Sequence, residues 1–202
     1  DAKAVRVGLI DDDTIPDFAI TCERANGKKA GALWANMFSE FTAVSDATGI
    51  KYDRIELIDL DGDGDLDLCF ANGRGFFSAS LQERVRLLIN DGNAFFVDES
   101  AARLGNLIGY GRDVEFGDVD GDGDLDVAVA NDFLTPQKLL INDGTGFFTD
   151  ESAARIPQFA MSSSHCAFGD IDDDGDLDLW FTRGGASRFG SGQAQLWIND
   201  GA

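Results

Sequence analysis

Asp59-Leu-Asp-Gly-Asp-Gly-Asp-Leu-Asp67 returns as Asp118-Val-Asp-Gly-Asp-Gly-Asp-Leu-Asp126 and again as Asp170-Ile-Asp-Asp-Asp-Gly-Asp-Leu-Asp178. A motif that recurs in register marks a repeat architecture. A second block trails each first one: Leu87-Leu-Ile-Asn-Asp-Gly92, Leu139-Leu-Ile-Asn-Asp-Gly144 and Leu196-Trp-Ile-Asn-Asp-Gly201. A third, Phe95-Phe-Val-Asp-Glu-Ser-Ala-Ala-Arg-Leu104, reappears as Phe147-Phe-Thr-Asp-Glu-Ser-Ala-Ala-Arg-Ile156. In that frame a worn first copy becomes visible, with Asp11, Asp13 and Asp17 standing where Asp61, Asp63 and Asp67 stand in the second. The copies run approximately over 1–50, 51–106, 107–158 and 159–202, and Asp11, Asp61, Asp120 and Asp172 are 50, 59 and 52 residues apart. That is the length of a four-stranded propeller blade.

Each copy reads as four short strands, a to d. Strand a precedes the Asp loop, as in Val114-Glu-Phe-Gly117, and strand b is the apolar run after it, as in Leu125-Asp-Val-Ala-Val-Ala130. Strand c, Lys138 to Ile141, joins strand d near Phe147 to Thr149 through Asn-Asp-Gly, a strong hairpin signal. Short continuous apolar runs suit sheets covered on both faces, as blades packed around an axis require. Helix is expected only as a turn near Glu99 to Arg103 and Glu151 to Arg155. The predicted fold is all-β: a β-propeller of four blade-type repeats, the last incomplete, that closes a small ring or forms part of a larger one.

The 202 residues carry 37 acids against 16 Lys and Arg, a formal charge of -21, and 30 of the acids are Asp. Such a field repels a polyanion and argues against nucleic acid as a partner. No run of about 18 apolar residues predicts a transmembrane segment. Cys22, Cys69 and Cys166 have neither metal-ligand nor disulfide-framework spacing and read as small buried apolar residues.

In the nine-residue loop, acids fall at positions 1, 3, 5, 7 and 9 with glycine at 4 and 6, except for Asp173 at position 4 of the last copy. Alternate carboxylates on a tight turn point at one centre, and unbalanced they repel one another. All-oxygen, flexible ligation describes Ca²⁺, whereas Mg²⁺ demands stricter octahedral geometry and zinc prefers Cys or His. An EF-hand needs a Glu at position 12, and here that position is Phe70, Val129 or Phe181. The closing carboxylate is instead expected at position 9, from Asp67, Asp126 and Asp178.

With Phe116-Gly117 and Phe168-Gly169 ahead of the loop, D-x-D-G-D-G-x-x-D within it, and L-x-I-N-D-G and F-x-D-E-S after it, the chain resembles the FG-GAP or VCBS repeats of integrin-α-like β-propellers. The resemblance implies Ca²⁺ ligation by the side chains at positions 1, 3, 5 and 9 and the carbonyl at position 7. That assigns Asp59, Asp61, Asp63 and Asp67 with the carbonyl of Asp65; Asp118, Asp120, Asp122 and Asp126 with that of Asp124; and Asp170, Asp172, Asp174 and Asp178 with that of Asp176. The first copy has Leu9 at position 1, Thr14 at position 6 and Pro16 at position 8, so its site at Asp11, Asp13 and Asp17 is expected to be empty or weak.

Loops of this kind are expected to be structural, with calcium rigidifying the a–b hairpins. Extracellular calcium modules bind at roughly 10⁻⁴ to 10⁻³ M, so the expected address is extracellular, cell-surface or periplasmic, as a mature chain whose signal has been removed. None of the Lys and Arg residues lies in an Asp loop or an Asn-Asp-Gly turn. Arg103, Arg112 and Arg155 fall near d–a connections, and Arg74, Arg84, Arg86, Lys138 and Arg183 in or beside b–c connections, which predicts an acidic face opposite a relatively basic one. Partners follow as expectations: a protein or glycan ligand, or copies of the chain itself, stacked head to tail or joined by β-augmentation at the open edge left by the missing last strand d.

The long b–c stretches 72–84, with Phe76-Phe77, and 184–192 are the expected binding surface. His165 follows Ser162 to Ser164 without a nucleophile elbow, and the Gly/Ser-rich 184–192 precedes no helix, so neither is read as catalytic or phosphate-binding. A non-enzymatic recognition or assembly module is the primary reading. The alternatives are a carbohydrate-active enzyme on a propeller of this type and a fragment of a larger adhesin or receptor.

Overall fold

The computed structural model describes residues 2–8, 17–23, 29–37, 40–46, 54–71, 83–92, 95–105, 107–158, 161–183 and 194–201, with side chains from residue 55 onward except 83 and 84. The first repeat is a four-stranded sheet of β1 (Ala2–Gly8), β2 (Asp17–Glu23), β3 (Lys29–Met37) and β4 (Glu40–Asp46) in sequential order. The second comprises β5 (Arg54–Ile58), β6 (Asp67–Ala71), the short β7 (Glu83–Arg84), β8 (Arg86–Asn90), β9 (Phe96–Asp98) and the single turn α1 (Ser100–Arg103). The third begins with β10 (Ile108–Gly109), which pairs with β7 across the repeat boundary. It continues as β11 (Gly111–Gly117), β12 (Asp126–Asn131), β13 (Lys138–Asn142), β14 (Phe148–Asp150) and α2 (Ser152–Arg155). The fourth has three described strands, β15 (Ser163–Gly169), β16 (Asp178–Arg183) and β17 (Gln195–Trp197). All pairings are antiparallel, and strands a to d fall where the repeat frame puts them.

Period-two alternation makes the third sheet a layer between two others. Val127 and Val129 of β12 join Leu60, Leu87, Leu104 and Leu140 in one core, while Ala128 and Ala130 turn the other way into a second with Met161, Cys166, Leu179 and Phe181. Every residue of β12 is buried, as its unbroken apolar run requires. The first strands pack in succession, β1 on β5, β5 on β11 and β11 on β15. Among the described residues β15 has no comparable contact with β1, and no closed ring is seen.

The recurrent Phe-Gly and Asp-Glu-Ser blocks have plain physical reasons. A Cβ on Gly117 would lie 2.9 Å from Leu177 Cδ1 and Phe168 Cδ2, so glycine lets the next repeat close over the end of β11. After β14 the Glu151 N–H donates to the Leu139 carbonyl at 3.1 Å, and the Leu139 N–H donates to Ser152 Oγ at 3.0 Å. Glu99 and Ser100 repeat this against Leu87 at 3.1 and 2.9 Å. The serine hydroxyl thus extends the c–d ladder by one rung after the backbone has turned into helix.

Cys69 and Cys166 are buried, as expected, and burial pushes the Cys69 thiol up. Cys22, the Asp11 and Asp13 loop, Phe76-Phe77 and 184–192 lie outside the residues whose side chains are described. Among the described residues no helix is long and apolar enough to cross a membrane.

Leu140 is 1 % exposed and sits in the core between the second and third sheets. Leu140→Ala is expected to cost about 2–5 kcal/mol, against less than about 0.5 kcal/mol for the exposed Leu134→Ala. Chemical denaturation of the two variants measures the difference.

Candidate metal centres

Each acidic loop wraps its backbone around its own first carboxylate. Asp59 accepts the Gly62 and Gly64 N–H groups at 2.9 and 3.1 Å. Asp118 accepts those of Gly121, Asp122 and Gly123 at 2.7, 3.1 and 3.0 Å, and Asp170 those of Asp174 and Gly175 at 3.2 and 3.1 Å. At position 5, Asp63, Asp122 and Asp174 accept the N–H of position 7 at 2.9, 3.0 and 3.0 Å. Position 4 takes a left-handed conformation in all three described loops, including Asp173 at φ +63° where its counterparts are Gly62 and Gly121.

Position 9 has a different task. Asp67, Asp126 and Asp178 are each 0 % exposed. One oxygen accepts the position 2 N–H, from Leu60, Val119 or Ile171, at 3.1, 2.9 and 2.9 Å. The other accepts the N–H of the asparagine that opens the c–d turn, Asn90, Asn142 or Asn199, at 2.9, 2.9 and 2.8 Å. The aspartate therefore locks the a–b loop to the c–d turn of its own repeat. A second contact reinforces the lock, because the carboxylates of Asp65, Asp124 and Asp176 lie against Gly92, Gly144 and Gly201, where any Cβ would collide with them. Position 7 side chains are thus turned toward the neighbouring turn.

Carboxylate oxygens of Asp59, Asp61 and Asp67 lie within 4.8 Å of one another, as do those of Asp118, Asp120 and Asp122 and those of Asp170, Asp172 and Asp178. The structure thus gathers positions 1, 3 and 9 in the second and fourth repeats and positions 1, 3 and 5 in the third. Asp63, Asp174 and Asp126 stand outside these triads. Asp61 Oδ1 is buried without a hydrogen-bond partner among the described residues. An all-oxygen triad with an orphaned, buried acceptor fits a hard cation.

The electrostatics agree. Burial, with Asp61 and Asp63 adding to it, pushes Asp67 up to about 7, and burial with Asp120 and Asp122 pushes Asp126 up to about 6. Asp61 and Asp120 are raised by burial and by their acidic neighbours, against the pull of Arg103 and Arg155. Asp172 is raised by desolvation and by Asp174 and Asp178. Carboxylates so crowded hold their charge at a cost that a divalent cation would relieve.

The strict separation of an acidic from a basic face does not hold. Arg103 Nη2 pairs with Asp61 Oδ2 at 3.0 Å and Arg155 Nη2 with Asp120 Oδ2 at 3.4 Å, so two arginines assigned to the opposite face reach the acidic loops. Helices α1 and α2 aim them, and Glu99 and Glu151 grip them at 2.5 and 2.6 Å. The repeated Glu-Ser-Ala-Ala-Arg, with its i,i+4 ion pair, is the sequence signal that identifies these arginines. His165 is exposed with Nδ1 3.0 Å from Ser164 Oγ, and no acid joins that pair among the described residues.

A sheet-stacking all-β chain with acidic a–b loops is the class these features define. The family model of the FG-GAP-like repeat matches residues 76–129 and again 118–181, together more than half of the chain, and the chain belongs to that family. No curated protein matches it.

Gly144→Ala and Gly123→Ala both place a Cβ at positive φ, at +81° and +98°, but only Gly144 has a carboxylate in the way. Gly123→Ala is expected to lose about 1–2 kcal/mol from backbone strain, and Gly144→Ala at least about 1 kcal/mol more from the displaced Asp124. Urea denaturation of both variants measures the gap.

Proposed function

We propose that the chain is a segment of β-propeller whose acidic loops bind calcium, and that it works outside the cytosol as a non-catalytic recognition or adhesion module for a protein or glycan. The observation that carries this reading is the threefold recurrence of one loop frame that brings three carboxylates within 4.8 Å, with Asp61 Oδ1 of the 59–67 loop buried and without a hydrogen-bond partner among the described residues. Successive packing of first strands supports the propeller, and membership of the FG-GAP-like family supports both propeller and calcium.

Asp59, Asp61, Asp63 and Asp67, with their counterparts at 118–126 and 170–178, would hold the ions. A bound Ca²⁺ supplies charge neutralisation, and no chemistry beyond that is needed for a structural role. The chain's own residues do the rest. Position 1 folds the loop, position 9 ties it to the c–d turn, and the sheets behind hold successive loops at a fixed spacing. Three ions would offset part of the formal charge of -21. Sites of roughly 10⁻⁴ to 10⁻³ M affinity fill in extracellular fluid and stay empty in cytosol, which is the ground for placing the module at the cell surface, in the periplasm or in secretion. The long b–c loops are the surface proposed for the ligand.

Calcium is expected to raise the melting temperature, and to go on raising it with the logarithm of its concentration above Kd. A site filled at a hundred times its Kd adds about 2.7 kcal/mol, and a chelator reverses the gain. Asp118→Asn should remove one ion from the calorimetric stoichiometry while two remain. A melting temperature indifferent to both calcium and chelator contradicts the proposal.

A further inference from the structure

Two asparagine side chains reach from one acidic loop to the next. Asn142 Nδ2 donates to the carbonyl of Leu60, position 2 of the 59–67 loop, at 3.3 Å, and to that of Leu125, position 8 of its own loop, at 3.2 Å. One repeat further on, Asn199 Nδ2 donates to the carbonyl of Val119 at 2.8 Å and to that of Leu177 at 3.4 Å. The same asparagines give their backbone N–H groups to the buried Asp126 and Asp178. Each one therefore touches the preceding loop at position 2 and its own loop at positions 8 and 9.

Between the second and third repeats a second bridge runs parallel to the first. Arg103 pairs with Asp61 at 3.0 Å, donates from Nη1 to the Thr145 carbonyl at 2.8 Å, and lies over the Phe147 ring at 5.1 Å. The turn that carries Asn142 is thus fastened to the preceding loop on both sides.

Position 2 lies between two of the gathered carboxylates. A cation that draws the position 1 and position 3 oxygens together fixes the peptide whose carbonyl Asn142 holds. Fixing that carbonyl settles the Asn142 turn, which in turn presents its N–H to Asp126 and its side chain to Leu125. We propose that Asn142 and Asn199 are positioning residues that couple successive cation loops, so that filling one loop raises the affinity of the next. This rests on the calcium reading above. By linkage the coupling is reciprocal, and a typical value is a factor of about five or more.

Calcium is titrated into the full chain while the amide resonances of Gly64, Gly123 and Gly175 are followed, since each donates to the position 1 aspartate of its own loop. Asp59→Asn disables the first loop. In the otherwise natural chain it is expected to weaken the Gly123 midpoint about fivefold. Asn142→Asp keeps the Oδ1 that accepts the Gly144 and Gly146 N–H groups and puts a charged acceptor in place of the Nδ2 donor. With Asn142→Asp present, Asp59→Asn should leave the Gly123 midpoint unmoved. The added charge of the variant stands in both arms of this cycle and cancels. A Gly123 midpoint that ignores Asp59→Asn, or that shifts equally in both backgrounds, overturns the coupling. Should Asn142→Asp fail to fold, Asn199→Asp with Asp170→Asn, read again at Gly123, decides by the same comparison. If none of the three glycines responds to calcium in the unaltered protein, the calcium reading itself falls, an outcome distinct from three independent transitions.

Discussion

Asp67, Asp126 and Asp178 are wholly buried, and each holds on its two oxygens an N–H from the a–b loop and an N–H from the c–d turn of the same repeat. Everything at the acidic end of the molecule is framed by that interaction. A hydrogen bond to a charged acceptor is worth about 1.5–3 kcal/mol, and two of them on one carboxylate offset part of the cost of burying it, the remainder showing as the raised pKa of Asp67 and Asp126. Because the aspartate opens strand b, the lock also sets where β6, β12 and β16 begin, and so the register of the strands behind.

The lock makes the loop a rigid object rather than a string of acids. Positions 1 and 5 then fold onto the backbone N–H groups beside them, position 7 leans on the c–d glycine, and position 3 is left to join the carboxylates gathered in the loop. Asp61 shows the result most plainly, with one oxygen on Arg103 and the other buried without a hydrogen-bond partner among the described residues. The Asn142 and Asn199 turns are further tied to the loop of the repeat before them, so these sheets are joined at the acidic end by polar bonds as well as by the apolar cores between them.

Much of this was legible in the residues. The three copies of the Asp loop and of Leu-x-Ile-Asn-Asp-Gly placed every strand from β5 to β17 except the short β7–β10 pair, whose two-residue strands carry no periodic signal. The single turns α1 and α2 were also predicted in place, since Glu-Ser-Ala-Ala-Arg follows an ended strand. The spatial consequences of side-chain reach were not legible. Nothing in the linear pattern shows that Arg103 and Arg155 bend back to the acidic loops, or that an asparagine in one repeat bonds a carbonyl 82 residues earlier. Acids at odd spacing suggest a shared centre, and the linear pattern therefore makes position 9 a closing ligand. Its backbone role depends on the c–d turn lying beside it, which only the folded sheet supplies.

The central claim is that these locked loops hold divalent ions. Crystals grown with calcium and soaked with a lanthanide give the most direct measurement, an anomalous difference map. The account predicts three peaks, one in each of the 59–67, 118–126 and 170–178 loops among the carboxylates of positions 1 and 3. Loops without peaks in ample cation, or peaks confined to other parts of the surface, would contradict it.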